Sequence, residues 1–386
     1  MLRIMEGSHA VAEAVKLCRP DVISAYPITP QTHIVERLAE MVADGDLESE
    51  YICVESEFSA LSACLGASAA GSRVYSATSS QGLLLMAEVC FNVAGMRQPV
   101  VMSIANRAVG APLSIWNDQQ DSIALRDAGW FQLYAEDAQE ISDFHFLAFK
   151  VAEDNNILLP GFICFDGFIL SHTYEPVDIP DQESVLAYLP PYKPVNILDA
   201  NDPMSLGMYA TPDYYLEFRY EHDQAMKRAA DALCKAGSEF EEHFGRNYGS
   251  LIEEYRMDDA DFAYVAMGSV CGTVKDAIDE MRDDGKKVGL VRILSYRPFP
   301  EADMHRALSG IPVVAVLEKN VSIGSRMKGA VGPEVKDAIA DSGVAVYSYV
   351  VGLGGRDIRK IHIRGIYEEA MKGNGNIFYG LREELL

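Results

Sequence analysis

Two α/β units in series, each a parallel sheet faced by helices, are predicted by three features of the sequence. Apolar runs of strand length alternate with helical periods from Ser8 to Phe165. The same alternation resumes near Asp261 and continues to Val350. Between them lie a proline-crowded segment and a charged helical stretch, which separate the two patterns. Strand alternating with helix implies parallel pairing with both sheet faces covered.

In order, the periodicity predicts a helix over Ser8–Cys18, a strand over Val22–Ala25 and a helix over Thr32–Val42. Tyr51–Val54 reads as a strand, and Phe58–Ala70 as a helix whose small residues allow close packing. Val74–Ala77, Val100–Ile104, Phe131–Tyr134 and Phe162–Phe165 read as further strands, with helices Leu83–Ala94 and Gln139–Glu153 among them. From 175 to 212, Pro176, Pro180, Pro190, Pro191, Pro194, Pro203 and Pro212 occupy a segment without helical period. So long an irregular stretch reads as an arm that wraps a neighbour. The charged stretch Asp223–Arg256 reads as a solvated helical connector. Ala263–Met267, Val288–Val291, Val313–Leu317 and Val344–Val350 are the strands expected of the second sheet. The expected division is therefore 1–235, a connector at 236–258, and 259–386.

Composition narrows the function classes. A chain of 386 residues is long enough for two domains of ordinary size. Its 49% hydrophobic content with a mean hydropathy near zero describes a globular chain with a substantial core. A net charge of −24 argues against nucleic acid and against an anionic membrane surface, and reads first as solubility. Cys18, Cys53, Cys64, Cys90, Cys164, Cys234 and Cys271 are scattered singly, so free thiols are expected and no iron–sulfur cluster of the clustered-cysteine kind. Met1–Gly7 shows no signal-peptide pattern, and no apolar run is of bilayer-spanning length, so a cytoplasmic chain is expected.

Ala25-Tyr26-Pro27-Ile28-Thr29-Pro30 carries the most information about function. Two prolines fix the backbone around Thr29 at the carboxyl end of a strand, where open α/β sheets bind ligands. Glu57 leaves a strand and opens a helix, a position that favours carboxylates through the helix dipole alone. Glu55, two residues earlier, is expected to face the opposite way and is the lesser candidate. Arg107 offers a planar fork for a carboxylate, with Asn106 beside it, and the Thr29 hydroxyl suits the same ligand. Ser79-Ser80-Gln81-Gly82 reads as a source of amide and hydroxyl donors or as a helix cap. Trp116 and Leu113 are candidates for a pocket wall or for core. Asp166-Gly167-Phe168 lacks the glycine-rich loop and lysine of a kinase, and Gly352-Leu353-Gly354-Gly355 fails the dinucleotide fingerprint and reads as a tight turn. The histidines show no metal spacing, and His172 reads as structural.

Taken in order, the Thr29 loop, Val54-Glu55-Ser56-Glu57, Thr78–Met86, Asn106-Arg107, Ser114–Asp121 and Phe165–His172 resemble the α subunit of multisubunit 2-oxoacid:ferredoxin oxidoreductases. Pyruvate:ferredoxin oxidoreductases are the nearest match. The resemblance implies a thiamine-diphosphate pyrimidine-binding domain over 1–235, followed by a transketolase C-terminal-like α/β domain over 259–386. It implies that Glu57 holds the cofactor's aminopyrimidine, with Ser80, Gln81, Pro27 and Ile28 as further cofactor contacts. It also implies that Thr29 and Arg107, with Asn106, bind the 2-oxoacid. The G-D-G…N pattern that holds magnesium on the diphosphate is missing, since Asp166-Gly167 lacks the leading glycine and the asparagine. Magnesium, [4Fe–4S] clusters and much of the coenzyme A contact are therefore expected on partner subunits of β, γ and δ type, with ferredoxin as electron acceptor. Many relatives carry histidine where this chain has Gln119, which removes a proton shuttle from that loop.

Pyruvate is the expected substrate. The same chemistry on 2-oxoisovalerate, 2-oxoglutarate or oxalate, and a non-catalytic scaffold subunit, are the rival readings. Oxalate would need a second cationic group, which Thr29 does not supply.

Overall fold

The computed structural model describes residues 1–386 and contains two sheets, of seven and six strands, beside a small two-stranded ribbon. The chain begins β1 (Leu2–Glu6), α1 (Gly7–Cys18), β2 (Val22–Ala25), α2 (Thr32–Ala43), β3 (Glu50–Cys53), α3 (Glu57–Ala69) and β4 (Val74–Thr78). It continues α4 (Ser80–Leu85), α5 (Ala87–Gly95), β5 (Val101–Asn106), α6 (Gln120–Ala124), β6 (Phe131–Tyr134), α7 (Ala138–Ala152) and β7 (Gly161–Asp166). Then come β8 (Tyr174–Asp178), α8 (Gln182–Tyr188) and α9 (Tyr215–Phe244). The second sheet and its helices are built from β9 (Ile252–Tyr255), β10 (Phe262–Ala266), α10 (Val270–Asp283) and β11 (Val288–Ile293). After β12 (Ser295–Arg297) follow α11 (Glu301–Leu308), β13 (Val313–Glu318), α12 (Val331–Ala338), β14 (Ala345–Val350), α13 (Lys360–Met371) and β15 (Ile377–Phe378).

The first sheet has the order β12-β6-β7-β5-β4-β2-β3, parallel except for β12 at one edge. Strands β4, β5, β6 and β7 are buried at every residue, as expected of parallel strands covered on both faces. The second sheet, β15-β14-β13-β10-β11-β9, is parallel except for β9. Because β12 lies beyond β11 in sequence yet pairs with β6, the later part of the chain completes the edge of the first sheet.

One core lies between the first sheet and helices α1, α2, α7 and α9. A second is shared between the two sheets: Leu61, Val89, Met102 and Tyr134 meet Val265, Val291, Val316 and Tyr296. A third lies under α10 and α13. This shared apolar core joins the two units. Polar ties reinforce it. Arg292 on β11 is 2% exposed and pairs with Glu140 on α7 and with Glu136 at 3.0 Å.

Several expectations are corrected. The single helix over Leu83–Ala94 is two helices broken at Met86, the first starting at Ser80. The segment 175–212 is not uniformly irregular: β8 pairs antiparallel with β1, Leu2 opposite Asp178, and α8 follows with Asp181 as its cap. The charged helix is α9, which starts at Tyr215 and ends at Phe244, with Gly245 in the left-handed region at φ 74°. It is no solvated connector, because Ala225, Ala229, Leu233, Ala236 and Phe240 bury one face against the first core. Residues 252–255 of the expected connector are strand β9.

Candidate functional site

The carboxyl ends of β2, β4 and β5 converge on one patch. After β2 the chain turns through Tyr26–Pro30, and Gln31, fully buried, fastens that turn. Its Oε1 accepts from the Ile28 N–H at 3.2 Å, and its Nε2 donates to the Ala77 carbonyl at 2.7 Å. Thr29 is thereby held at the surface with its carbonyl turned inward. Pro27 is exposed and Ile28 half-buried on the same turn.

Arg107 follows β5 directly and is 7% exposed. Its Nη1 donates to the Thr29 carbonyl at 2.8 Å and its Nε to the Ser114 carbonyl at 3.2 Å. Its Nη2 reaches Gln81 Oε1 at 3.5 Å. No carboxylate lies in ion-pair range of this guanidinium, so its charge is met only by neutral oxygens. Burial lowers its pKa from the usual arginine value, and the Asp121 carboxylate nearby works against that shift. A nearly buried arginine without a counter-ion is primed for an anion.

Glu57 is the first residue of α3 and is 7% exposed. The cap of that helix is Ser56, whose Oγ accepts from the Ser59 N–H at 3.3 Å. The Glu57 carboxylate is thus not the cap and accepts no hydrogen bond within the chain. It lies against the start of α4, where a Cβ on Gly82 would come within 2.6 Å of both Glu57 Oε1 and Thr78 Oγ1. Thr78 Oγ1, Ser79 Oγ and Asn106 Oδ1 are buried here without a hydrogen-bond partner. Orphaned buried acceptors and hydroxyls carry a cost unless a ligand satisfies them. The residues present fit a flat heterocycle with donor and acceptor edges, such as an aminopyrimidine.

Glu55 is exposed and accepts from the Ser59 hydroxyl. Its outward direction does not come from strand alternation, which puts residues two apart on one face. Strand β3 ends at Cys53, and the extended backbone of Ser56 separates the two glutamates.

The remaining predicted residues divide. Ser80 is buried at φ 51°, and its hydroxyl donates to the Ala108 carbonyl at 2.6 Å. It secures the segment after Arg107. Gln81 is half-buried, facing Arg107 and Gly110. Asn106 donates from Nδ2 to Asp121 at 2.7 Å and Ser122 at 2.8 Å, which leaves only Oδ1 for a ligand. Trp116 and Leu113 are exposed, with the Trp116 ring 4.8 Å from Phe168. His172 packs on His33 at 4.5 Å and meets Ser171 Oγ at 2.7 Å.

Residues 117–121 clamp this patch to the second unit. Gln119 donates from Nε2 to the Met267 carbonyl at 3.0 Å, and Asp118 accepts from the Gly354 N–H at 3.0 Å. The Gly355 N–H donates to the Asn117 carbonyl at 2.7 Å. Gly352, Gly354 and Gly355 all have positive φ in a tight turn. The turn is the seat of the loop, a role with no local signal in the sequence. Asp121, fully buried, accepts from Ser80 N and Ser122 N, both at 2.8 Å, and from Arg107 N at 3.1 Å, besides Asn106. Burial pushes its carboxyl up to about 6 despite those donors. No group of three or more His, Cys, Asp or Glu side chains is arranged to hold a metal ion, and no helix is long and apolar enough to cross a membrane.

Residues 13–236 match the family described as pyruvate flavodoxin/ferredoxin oxidoreductase, thiamine diphosphate-binding, and residues 260–363 match pyruvate:ferredoxin oxidoreductase core domain II. The pyruvate synthase subunit PorA of Methanosarcina barkeri is 52% identical over 99% of this chain and 97% of its own. The ketoisovalerate oxidoreductase subunit VorA of Pyrococcus abyssi is 44% identical over 96% of this chain and 93% of its own. Among solved structures, a 2-oxoglutarate:ferredoxin oxidoreductase from Magnetococcus marinus, with 2-oxoglutarate, coenzyme A and succinyl-CoA bound, superposes with a TM-score of 0.70 at 20% identity. That match covers 96% of this chain and 65% of the solved one, and it speaks to fold alone. Both family segments matched in order, together with 52% identity over nearly the whole chain to a pyruvate synthase subunit, place the chain in the pyruvate:ferredoxin oxidoreductase family.

Proposed function

We propose that this chain is the α subunit of a pyruvate:ferredoxin oxidoreductase, which converts pyruvate and coenzyme A to acetyl-CoA and CO₂ and passes the electrons to ferredoxin, or runs the reverse. The observation that carries the reading is Arg107, a nearly buried guanidinium without a counter-ion, 2.8 Å from the Thr29 carbonyl. An anionic carboxylate is the ligand such a group lacks.

Thiamine diphosphate, when bound, supplies the carbanion that attacks the 2-oxo carbon and takes up the electrons released with CO₂. Glu57 is the carboxylate offered to its aminopyrimidine, with the orphaned Thr78 and Ser79 hydroxyls and Gln81 beside it. Arg107 and the Thr29 hydroxyl bind the substrate carboxylate and hold its carbonyl toward that position. The Pro27-Ile28 turn walls the near side. In this reading residues 1–235 form the pyrimidine-binding half and 259–386 the transketolase C-terminal-like half. The diphosphate with its magnesium, the [4Fe–4S] clusters and most coenzyme A contacts then belong to β, γ and δ type partners in the cytoplasm.

The test is anaerobic viologen reduction by the natively purified complex across a panel of 2-oxoacids with coenzyme A. Preference for pyruvate is expected, and no coenzyme A-dependent reduction with any of them would reject the enzyme reading. A preference for 2-oxoisovalerate is the second reading, favoured by the 44% identity to a ketoisovalerate oxidoreductase subunit.

A further inference from the structure

Two elements of the site follow neighbouring strands, and the sheet pairs those strands only as far as Thr78 opposite Ile104, so the segments beyond need other ties. The cofactor side is set by the β4–α4 junction, where Gly82 abuts Glu57. The substrate side is set by the first residues after β5, where Arg107 begins. Beyond the paired strands the Ser80 hydroxyl donates to the Ala108 carbonyl at 2.6 Å, and one carboxylate joins the two backbones directly. Asp121 Oδ2 accepts from the Ser80 N–H at 2.8 Å and from the Arg107 N–H at 3.1 Å. Its Oδ1 accepts from Asn106 Nδ2 at 2.7 Å and from its neighbour Ser122 at 2.8 Å. We propose that Asp121 is a positioning residue, which sets the place of the substrate arginine relative to the cofactor glutamate by tying together Ser80 and Arg107, the residues that follow β4 and β5. This rests on the functional reading above.

The chemistry of the bridge is specific to an acceptor with two oxygens. Four donors converge, two on each oxygen, and the site is closed to water. Alanine would strand all four donors and leave only the Ser80 hydroxyl bond to the Ala108 carbonyl between the two segments. Asparagine retains one oxygen, enough to keep the Ser80 and Arg107 pair if Asn106 turns its own amide over. Helix α6, which bears Asp121, is anchored from behind by the second unit through the residues just before it, Gln119 to the Met267 carbonyl and Asp118 to the Gly354 N–H. The bridge is therefore held by the second unit, rather than riding on a free loop.

The charged and titratable groups facing Asp121 are few. Arg107 and Asp118 lie beside it, and Tyr134 and Cys164 lie on the strands beneath. Burial drives the Tyr134 phenol and the Cys164 thiol well up, so neither loses its proton in the mildly acidic range. Burial also raises Asp118, which the asparagine variant at 121 separates from Asp121. Protonation of Asp121 below about 6 removes acceptor capacity from one oxygen.

The experiment uses the assembled complex with Asp121→Ala and Asp121→Asn, reading KM for pyruvate, KM for coenzyme A and kcat. Asp121→Ala is expected to raise KM for pyruvate by about tenfold or more, since a displaced Arg107 weakens ground-state binding of the carboxylate. KM for coenzyme A should stay unchanged, while kcat at saturation falls as well, because a displaced Arg107 holds the 2-oxo carbon away from its place at the cofactor. Asp121→Asn should recover most of the KM. Equal loss in both KM values, or unchanged KM for pyruvate, would overturn the proposal. If the alanine variant does not assemble, the wild-type complex decides. Its KM for pyruvate should rise as pH falls through about 6, and the Asn variant should lack that limb. A KM that is flat across that range also overturns it. Failure of the functional reading is distinct, because the wild-type complex would then reduce no viologen with any 2-oxoacid, and the proposal would fall with it.

Discussion

Asp166 at the end of β7 and Lys319 just after β13 form a buried ion pair across the two units, Oδ1 to Nζ 2.5 Å. The same carboxylate accepts from Asn117 Nδ2 at 3.0 Å, and from the N–H and hydroxyl of Ser269 at 3.0 and 2.5 Å. Asn117 lies just before helix α6, which carries Asp121, so one buried carboxylate joins the junction of the units to the site. Lys319 also supplies its carbonyl to the Gln119 N–H at 2.7 Å.

Removing one partner of such a pair leaves a charge buried alone. Lys319→Ala is therefore expected to destabilise the chain by about 3–5 kcal/mol. The double change Lys319→Met with Asp166→Asn should cost less than the single one, because it buries no orphan charge. Thermal melts of the three proteins check this, and a Lys319→Ala melt equal to wild type would refute it.

The pH dependence of the pair follows from the direction of its shift. Burial alone would push the Asp166 carboxyl up, but the Lys319 ammonium and the Ser269 and Asn117 donors outweigh it and hold it below the usual carboxylate range. A depressed folded pKa gives stability that is present above the unfolded value, about 3.9, and lost as pH falls through the folded value. The difference in unfolding free energy between wild type and Asp166→Asn should thus be level above about pH 5 and shrink below about pH 4. Urea titrations at stepped pH measure it, and a difference that grows on acidification would contradict the assignment.

Glu57 offers a cleaner separation of structure from chemistry. Since Ser56 caps α3, Glu57→Gln removes a charge without removing a cap or changing volume. The melt should move little, while turnover of the assembled complex falls by about 10²-fold or more, the range for loss of an acid–base group. Intact turnover in the glutamine variant would favour a scaffold role for the chain.

How much of this was legible in the sequence depended on where each residue's partner lies. Buried parallel strands announce themselves as apolar runs, so β2, β4, β5, β7, β10 and β13 were readable within a residue or two. Strand β1 was not, because Leu2–Glu6 is ordered only by pairing with Tyr174–Asp178 far along the chain. The three residues of β12 and the two of β15 are too short to show a period. Helix α9 begins eight residues before its expected start at Asp223, in Tyr215–His222, where exposed aromatics hide the helical stripe. Thr29, Glu57 and Arg107 were singled out by the order and spacing of the motifs that carry the family resemblance, and each lies beyond the carboxyl end of a strand. Gln31, Asp121 and Lys319 were not, since each acts through a partner that only the tertiary fold brings near. Asp121 ends the Ser114–Asp121 stretch that carries part of the resemblance, yet nothing local distinguishes it from Asp118.

Gly82 and Gly66 pose the last test, because both are helical glycines with opposite surroundings. In a helix interior, glycine to alanine is favourable by roughly 0.5–1 kcal/mol where space allows. Around Gly66 a Cβ would meet nothing within 4 Å, so Gly66→Ala should raise the melting temperature and leave turnover alone. At Gly82 the same Cβ would come within 2.6 Å of Glu57 Oε1 and Thr78 Oγ1. Glu57 is a long side chain with no hydrogen bond to hold it, so it can swing aside and the fold can survive. What it cannot then do is occupy the position from which it meets the cofactor. Gly82→Ala is accordingly expected to melt within a few degrees of wild type, while the complex needs about tenfold more thiamine diphosphate for half-maximal turnover. Unchanged cofactor dependence in that variant would mean that the cofactor does not rely on Glu57 where the chain holds it.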